Sequence, residues 1–193
     1  MLRNTKREEI LKSTFDYKVY FFVCIIFLIG IICGAIYFRI VLNDTPRAVL
    51  SDSFQTIQET AELTKSELLS KLLLKNVKTL ITYWIIGISV VGAPFLVLNT
   101  LAKGFSTSFA VSTVVYNIGF LSGNKLIFRH MFLHSAFAVL AIIILTVSSV
   151  KVTFNVLRNK KDIKVEIIRH SITAIVALVL FAISILVEIF FRG

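Results

Sequence analysis

The chain has 193 residues, of which 56% are hydrophobic, with a formal net charge of +10 and a mean hydropathy of +0.85. A soluble globule needs more polar surface than this, so the composition excludes a soluble enzyme carried on a small membrane anchor. The positive charge does not indicate nucleic-acid binding, because the Lys and Arg residues flank apolar runs, where such residues set membrane orientation and attract anionic headgroups. We therefore expect one integral membrane domain covering residues 1–193, in contact with the lipid bilayer.

The first apolar run, residues 19–38, contains no charged residue. Its twenty residues make about 30 Å of helix, which is enough to cross the hydrocarbon layer. A cleaved signal peptide has a shorter apolar region followed by a small-residue cleavage site, so we predict an uncleaved first span. Cys24 and Cys33 lie nine residues apart and face opposite sides of this helix, which excludes a disulfide between them.

The longest polar segment, residues 43–78, follows this span. Thr45-Pro46 is typical of a helix start, and one apolar stripe then recurs at helical spacing: Leu50, Phe54, Ile57 and Ala61. The stripe is too short and too polar to cross a bilayer, so we expect it to lie on the membrane surface or to cover a groove of the bundle. Thr64-x-x-Glu67 is a capping box and predicts a second helix that continues into the next span.

Four further spans are expected, at about residues 77–98, 105–121, 126–150 and 172–191. The pattern therefore predicts an all-α fold, a five-helix transmembrane bundle with an amphipathic extracytoplasmic segment between helices 1 and 2. Pro94 should kink the second span. Lys103-Gly104 indicates a tight turn, and residues 151–170 indicate a basic loop.

Orientation follows from the distribution of Lys and Arg. With the N-terminus inside, the cytoplasmic segments hold 12 of these residues and the outer segments hold 9. Since positive residues concentrate on the cytoplasmic side, we expect a cytoplasmic N-terminus and an external C-terminus.

Residues with the potential for chemistry are few. His130 and His134 have the i, i+4 spacing that can share a metal ion, but a third ligand is missing and His170 is expected on the opposite membrane side, so we expect no metal site. Glu188 is the one acid inside a predicted span, and a helix-end ion pair with Arg192 is favoured over a proton relay. The sequence shows no nucleophile–base set and no Gly-rich phosphate loop, so we expect a protein that is not an enzyme and has no cofactor.

Small residues at four-residue spacing are the clearest packing signal. Gly30 and Gly34 lie in the first span, and a second set lies in the third: Gly104, Ser108 and Ser112. Such spacing lets helix backbones approach closely. Packing within the chain is the favoured interpretation, and the alternative is a homo- or hetero-oligomer contact. The third span is also polar, and Ser112, Tyr116 and Asn117 are candidates to line an export or binding path.

Several stretches together resemble the stage II sporulation protein M family. The end of the first span reads Gly30-Ile-Ile-Cys-Gly34-Ala35, and the second predicted helix carries Tyr83-Trp84-Ile-Ile-Gly87 and then Gly92-Ala-Pro94. Lys103-Gly104-Phe105 is similar to the family's cytoplasmic turn into helix three. The resemblance covers nearly the whole chain, and it rests on the order and spacing of these stretches.

The resemblance implies a non-enzymatic membrane protein of the septum in endospore formers. It would localise two peptidoglycan-degrading partners, stage II sporulation proteins D and P, during engulfment. Related membrane proteins also occur in gene clusters for circular bacteriocins, where they are associated with maturation, export or self-protection, and an ATP-binding transport subunit would then be the partner. The high Ile, Lys and Phe usage suits the plasma membrane of a low-GC Gram-positive bacterium in either case. Divergence at the start of the fourth span, Arg129-His130-Met131, keeps the second role open.

Overall fold

The computed structural model describes residues 2–44, 65–89, 91–118, 133–159 and 163–191. This part of the chain forms five α-helices: α1 Leu2–Asp44, α2 Lys65–Ile88, α3 Gly92–Ile118, α4 Leu133–Asn159 and α5 Ile163–Phe191. The prediction of an all-α fold is confirmed for the described residues, and the five-span bundle stays a prediction. The amphipathic stripe between residues 45 and 64 lies outside the described residues.

Three of these helices are long and apolar enough to cross a membrane. The candidate spans are Tyr17–Val41 in α1, Ser135–Leu157 in α4 and Ile163–Phe190 in α5, and they correspond to the predicted first, fourth and fifth spans. The chain is therefore a membrane protein. Helices α2 and α3 pack beside these spans, with α3 lying mainly on α1 and α2 lying on α5 and α4.

Two contact registers define the helix directions. Gly30 lies against Leu101 and Gly34 lies against Phe105, so α1 and α3 run parallel. Helix α2 runs antiparallel to α5, because Gly87 meets His170 at one end and Leu72 packs with Ile185 at the other.

The central apolar core lies where α2, α3, α4 and α5 meet. Its buried members include Tyr83, Leu96, Leu145 and Phe181. A smaller cluster joins the beginning of α1 to α4 through Val23 and Val147. Each helix thus presents one face to a neighbour and leaves the other exposed, as expected for a bundle whose outer surface meets lipid.

The connection between α2 and α3 lies at residues 89–91, so the expected single kinked span over 77–98 is wrong. The backbone N–H of Ser89 donates to the Ile86 carbonyl at 3.1 Å, and the N–H of Gly92 donates to the Ser89 carbonyl at 2.9 Å. Pro94 falls in the first turn of α3. Backbone N–H groups have no partner inside the helix at that position, so Pro94 fits the first turn of α3 and does not bend a longer helix.

The tight turn expected at Lys103-Gly104 is also wrong, because α3 continues through both residues. Gly104 meets the backbone of α1. The glycine therefore serves a close approach of two helices, and no change of chain direction is needed there.

The basic loop expected over residues 151–170 is wrong as well. Helix α4 continues to Asn159, and α5 begins at Ile163. The Lys151 ammonium lies 4.8 Å from the centre of the Tyr20 ring. Long cationic side chains can cover apolar helix surface while the charge stays at the periphery, which is why a high density of Lys and Arg did not interrupt these helices.

Helix α2 continues the polar segment into the bundle, as predicted, while Thr64, the capping residue of the predicted box, lies outside the described residues. The helix begins at Lys65 and carries Glu67 in its first turn. An acid in the first turn stabilises the positive end of the helix dipole. The second helix of the polar segment therefore forms as expected and continues into the bundle as far as Ile88.

Candidate functional site: two helix seams

The first seam joins α1 to α3 and is defined by Gly30, Gly34 and Gly104 (the glycine seam). A Cβ atom added to Gly30 would overlap the carbonyl oxygen of Leu101, and one added to Gly34 would lie 2.5 Å from that of Phe105. A Cβ atom on Gly104 would overlap the Phe27 carbonyl from the other side. The two backbones are therefore in direct contact, which only glycine permits.

Aromatic rings continue the glycine seam toward the C-terminal end of α1. The rings of Phe38 and Phe109 meet edge to face, with centroids 5.7 Å apart, and the rings of Tyr37 and Phe105 lie 5.5 Å apart. Tyr116 reaches the ring of Phe38 at 6.1 Å. Such ring pairs favour one relative position of two helices, so they fix the register that the glycines allow.

The remaining predicted residues of the third span are spread along α3. Ser108 and Ser112 are half-buried, and Tyr116 is 48% exposed. The side chain of Asn117 lies outside the described residues. The interpretation of Ser112, Tyr116 and Asn117 as a path lining stays a prediction.

The second seam joins the C-terminal half of α2 to α4 and α5, and it is built around a buried histidine (the polar seam: Trp84, Gly87, Ser148, Ser149, His170 and Ser171). His170 is fully buried, and its Nδ1 forms a hydrogen bond with the Ser148 hydroxyl at 2.9 Å. Its ring fills the space above Gly87, where an added Cβ would lie 2.5 Å from Nε2. That nitrogen faces the carbonyl end of α2 without meeting hydrogen-bond geometry to any described residue.

Two more side-chain hydrogen bonds complete the polar seam. The Ser149 hydroxyl donates to the Gly87 carbonyl at 3.1 Å, which ties α4 to α2. The Trp84 indole N–H donates to the Ser171 hydroxyl at 3.2 Å, which ties α2 to α5. Because water is scarce in a membrane interior, such pairs satisfy polar groups that would otherwise be costly to bury.

A fourth interhelical hydrogen bond connects the two seams. The hydroxyls of Thr100 in α3 and Thr146 in α4 are 2.9 Å apart, and both side chains are fully buried. The Thr100 hydroxyl also donates to the carbonyl of Leu96 at 2.9 Å. The bundle is thus linked by hydrogen bonds from α2 through α4 to α3.

His170 and Ser148 are residue types that can act as a general base and a hydroxyl nucleophile, so the geometry must show whether this pair could act on a substrate. A general base must reach a proton of a bound substrate. Here Gly87 covers one edge of the ring and the side chain has no exposed surface. The nearest acid along α5, Glu166, is bonded to Arg169 at 3.3 Å. The arrangement is suited to holding helices together.

Sequence reasoning missed the polar seam. It placed His170 in a loop, whereas the structure buries it at the centre of an interface. Its partners lie 22 residues away at Ser148 and 83 residues away at Gly87, so no local spacing reveals them. The available signal was the pair Ser148-Ser149 inside a strongly apolar run, since buried hydroxyls in a span usually have a partner on another helix.

The other candidate residues lie on α1, on α5 or outside the described part of the chain. His130 and the side chain of His134 lie outside the described residues, and the residues that were described contain no group of three or more metal-binding side chains. Glu188 is half-buried in α5, while Arg192, its expected partner, lies outside the described part. Cys24 and Cys33 are both free and exposed on α1.

Comparison with known proteins gives the family. The sequence model of stage II sporulation protein M matches residues 23–191, from within α1 to the last residue of α5. Searches of curated proteins and of solved structures find no match. The match includes both seams and confirms the resemblance carried by the glycine motifs. With most of its length matched, the chain belongs to the stage II sporulation protein M family.

Proposed function

We propose that this chain is a non-enzymatic membrane scaffold that recruits partner proteins for remodelling of the cell envelope. The observation that carries the proposal is the glycine seam, where α1 and α3 are in backbone contact. Together with the polar seam it makes a bundle whose helices hold fixed relative positions. A fixed arrangement of helices suits a platform that positions other proteins, and the family membership supports the same role.

The scaffold would cross the plasma membrane five times. In support, α3 follows the α1 span from Gly30 to beyond Gly34, and α2 follows the α5 span over the fifteen residues between Leu72 and Gly87. Fifteen residues of helix extend over about 22 Å, which is most of the hydrocarbon thickness. Lys103 lies midway along α3 and is now left out of the cytoplasmic count. The remaining Lys and Arg residues, 11 in the cytoplasmic segments and 9 in the outer segments, still favour a cytoplasmic N-terminus.

Cysteine labelling tests this orientation. In a background carrying Cys24→Ser and Cys33→Ser, a membrane-impermeant reagent added outside should modify Thr56→Cys and leave Lys160→Cys unmodified. The reverse pattern would invert the scaffold in the membrane and would remove segment 44–75 from the outer face.

The partner surface of this scaffold is the outer segment 44–75. It carries five acidic and four basic residues, so its charges nearly balance. Its apolar stripe suits docking of an amphipathic partner: Leu50, Phe54, Ile57 and Ala61. The family relationship suggests peptidoglycan-degrading proteins, sporulation proteins D and P, as the partners.

A double variant tests the partner surface. Phe54→Asn with Ile57→Asn should insert at the normal level but fail to co-purify with coexpressed proteins D and P. The matched control, Gln55→Asn with Gln58→Asn, changes the same segment between the stripe positions and should retain both partners. Normal capture by the stripe variant would contradict the proposal and would favour the export role.

A further inference from the structure

Lys103 is a cation in the middle of the bundle. Its neighbour Gly104 touches Phe27 and Gly30 of α1, close to the centre of the Tyr17–Val41 span. The side chain is half-buried, and no described residue forms an ion pair with it. A charged group at this depth is costly unless an acceptor or an opposite charge lies beside it.

The interior faces of α2 and α3 place Lys103 level with Asn76. Tyr83 of α2 and Leu96 of α3 pack in the same core cluster, and the two helices leave the turn at 89–91 in opposite chain directions. Asn76 lies seven residues before Tyr83, and Lys103 lies seven residues after Leu96. Both steps are about 10 Å in the same direction and return to the same helix face, which places Asn76 and Lys103 at one level on the facing sides of α2 and α3.

The groups collected here are all hydrogen-bond donors. Asn76 is 6% exposed, and its Nδ2 has no partner among the described residues. Lys75, the neighbour of Asn76 in α2, is exposed and brings a second positive charge to this level of the bundle. Two cations and a buried amide without an acceptor are the complement of a carboxylate.

The surface beside Lys103 is shaped for another helix. Ala102 and Ser106 are both exposed on α3, four residues apart on one face. The Ser106 hydroxyl donates to the Ala102 carbonyl at 2.9 Å, so its proton needs no acceptor on a partner helix. Small residues at this spacing let a second transmembrane helix approach closely.

A second copy of this chain does not supply the missing charge. Among the described residues, the acids lie outside the apolar middle of each helix: Glu8, Glu9, Asp16 and Asp44 flank the Tyr17–Val41 span of α1, Glu67 lies in the first turn of α2, and Glu166 and Glu188 lie toward the two ends of α5. The middle parts of these helices contain no carboxylate. The occupant therefore comes from a different protein.

We propose that Lys75, Asn76 and Lys103 form a docking site for the transmembrane helix of a partner protein that carries an Asp or Glu near its centre. The partner helix would lie on the Ala102–Ser106 face, and its carboxylate would accept hydrogen bonds from the two ammonium groups, which their long side chains can carry to that face. This inference rests on the proposed scaffold function and deepens it by stating the chemistry of one partner. It uses none of the stripe residues Leu50, Phe54, Ile57 and Ala61.

The test uses the full chain in phosphatidylcholine vesicles and a synthetic helix as the probe. The probe is a polyleucine transmembrane peptide with one central Glu, and the reference is the same peptide with Gln. Energy transfer between labelled protein and labelled peptide reports association. The wild type should bind the Glu peptide about tenfold more tightly than the Gln peptide, the difference that about 1.4 kcal/mol produces.

Matched variants assign the effect to the site. Lys103→Gln should remove the preference for Glu, and Lys75→Gln, at an exposed position where folding is not at stake, should reduce it. Lys78→Gln makes the same charge change on the face of α2 opposite Asn76 and should leave the preference intact. Equal binding of both peptides by the wild type would overturn the proposal. So would loss of the Glu preference when phosphatidylglycerol is added, because the cations would then belong to anionic lipid.

Discussion

The glycine seam and the polar seam hold the same bundle together by different means. In the glycine seam, α1 and α3 touch through backbone atoms around Gly30, Gly34 and Gly104. In the polar seam, α2, α4 and α5 are joined by side-chain hydrogen bonds around His170. Apolar burial does not drive helix association inside lipid, so close packing and interhelical hydrogen bonds must take its place, and this chain uses one mechanism at each seam.

Because of this difference, each seam should be sensitive to a different kind of substitution. A backbone contact tolerates no added atoms, so the glycine seam should fail when a side chain grows. A hydrogen-bonded contact loses energy when a partner is removed, so the polar seam should fail when a side chain shrinks. Variants of both kinds can therefore break one seam while leaving the other intact.

The largest effect is expected in the glycine seam. Gly34→Leu would force a side chain into the Phe105 backbone and should lower the free energy of unfolding by about 3 kcal/mol, the upper part of the range for overpacking. Ala35→Leu is the matched control, since Ala35 is exposed and faces away. SDS titration of the purified protein measures both variants. Equal stability of Gly34→Leu and Ala35→Leu would show that the Gly34 face meets lipid.

The next effect tests the contact between Gly87 and His170. Gly→Ala usually stabilises a helix, by roughly 0.5–1 kcal/mol. Here Gly87→Ala should instead lower the free energy of unfolding by about 2 kcal/mol, because the new methyl group would overlap the imidazole. In a His170→Ala background the same change should cost little, since the ring is gone.

A double-mutant cycle of these two variants measures their coupling. We expect a coupling of at least about 1 kcal/mol. The free energy of unfolding lost in the double variant should be smaller than the two single losses added together. Additive losses would mean that the ring does not occupy the space above Gly87.

The smallest effect is expected at the link between the seams. Thr100→Val keeps the shape of the side chain and removes the hydroxyl bonded to Thr146. Interhelical hydrogen bonds in membranes contribute about 0.6 kcal/mol on average, so the loss should be of that size. Thr82→Val is the control, because the Thr82 hydroxyl bonds only the backbone of its own helix at Lys78. If Thr100→Val lowers the free energy of unfolding no more than Thr82→Val does, the hydrogen bond between Thr100 and Thr146 does not stabilise the bundle.

The glycine seam could be predicted from the sequence better than the polar seam. The spacing of Gly30 and Gly34 is local and carries its physical meaning with it, whereas His170 finds its partners only after the chain has folded. The first and last spans followed from unbroken apolar runs. The α2–α3 turn did not, because Pro94 can kink a helix or begin one. Gly104 was similarly ambiguous, since glycine can mark a turn or a close contact.

The glycine seam and its link to the polar seam both require α3 to be one continuous helix whose middle, at Lys103, lies inside the bundle. Single cysteines at Val91 and Lys103, in a background carrying Cys24→Ser and Cys33→Ser, test this directly by maleimide labelling in membranes opened to reagent from both sides. Val91 is 78% exposed at the turn, so Val91→Cys should react rapidly, and Lys103→Cys should remain largely unmodified. Rapid labelling at Lys103 with protection at Val91 would restore the chain turn to Lys103-Gly104 and contradict the account.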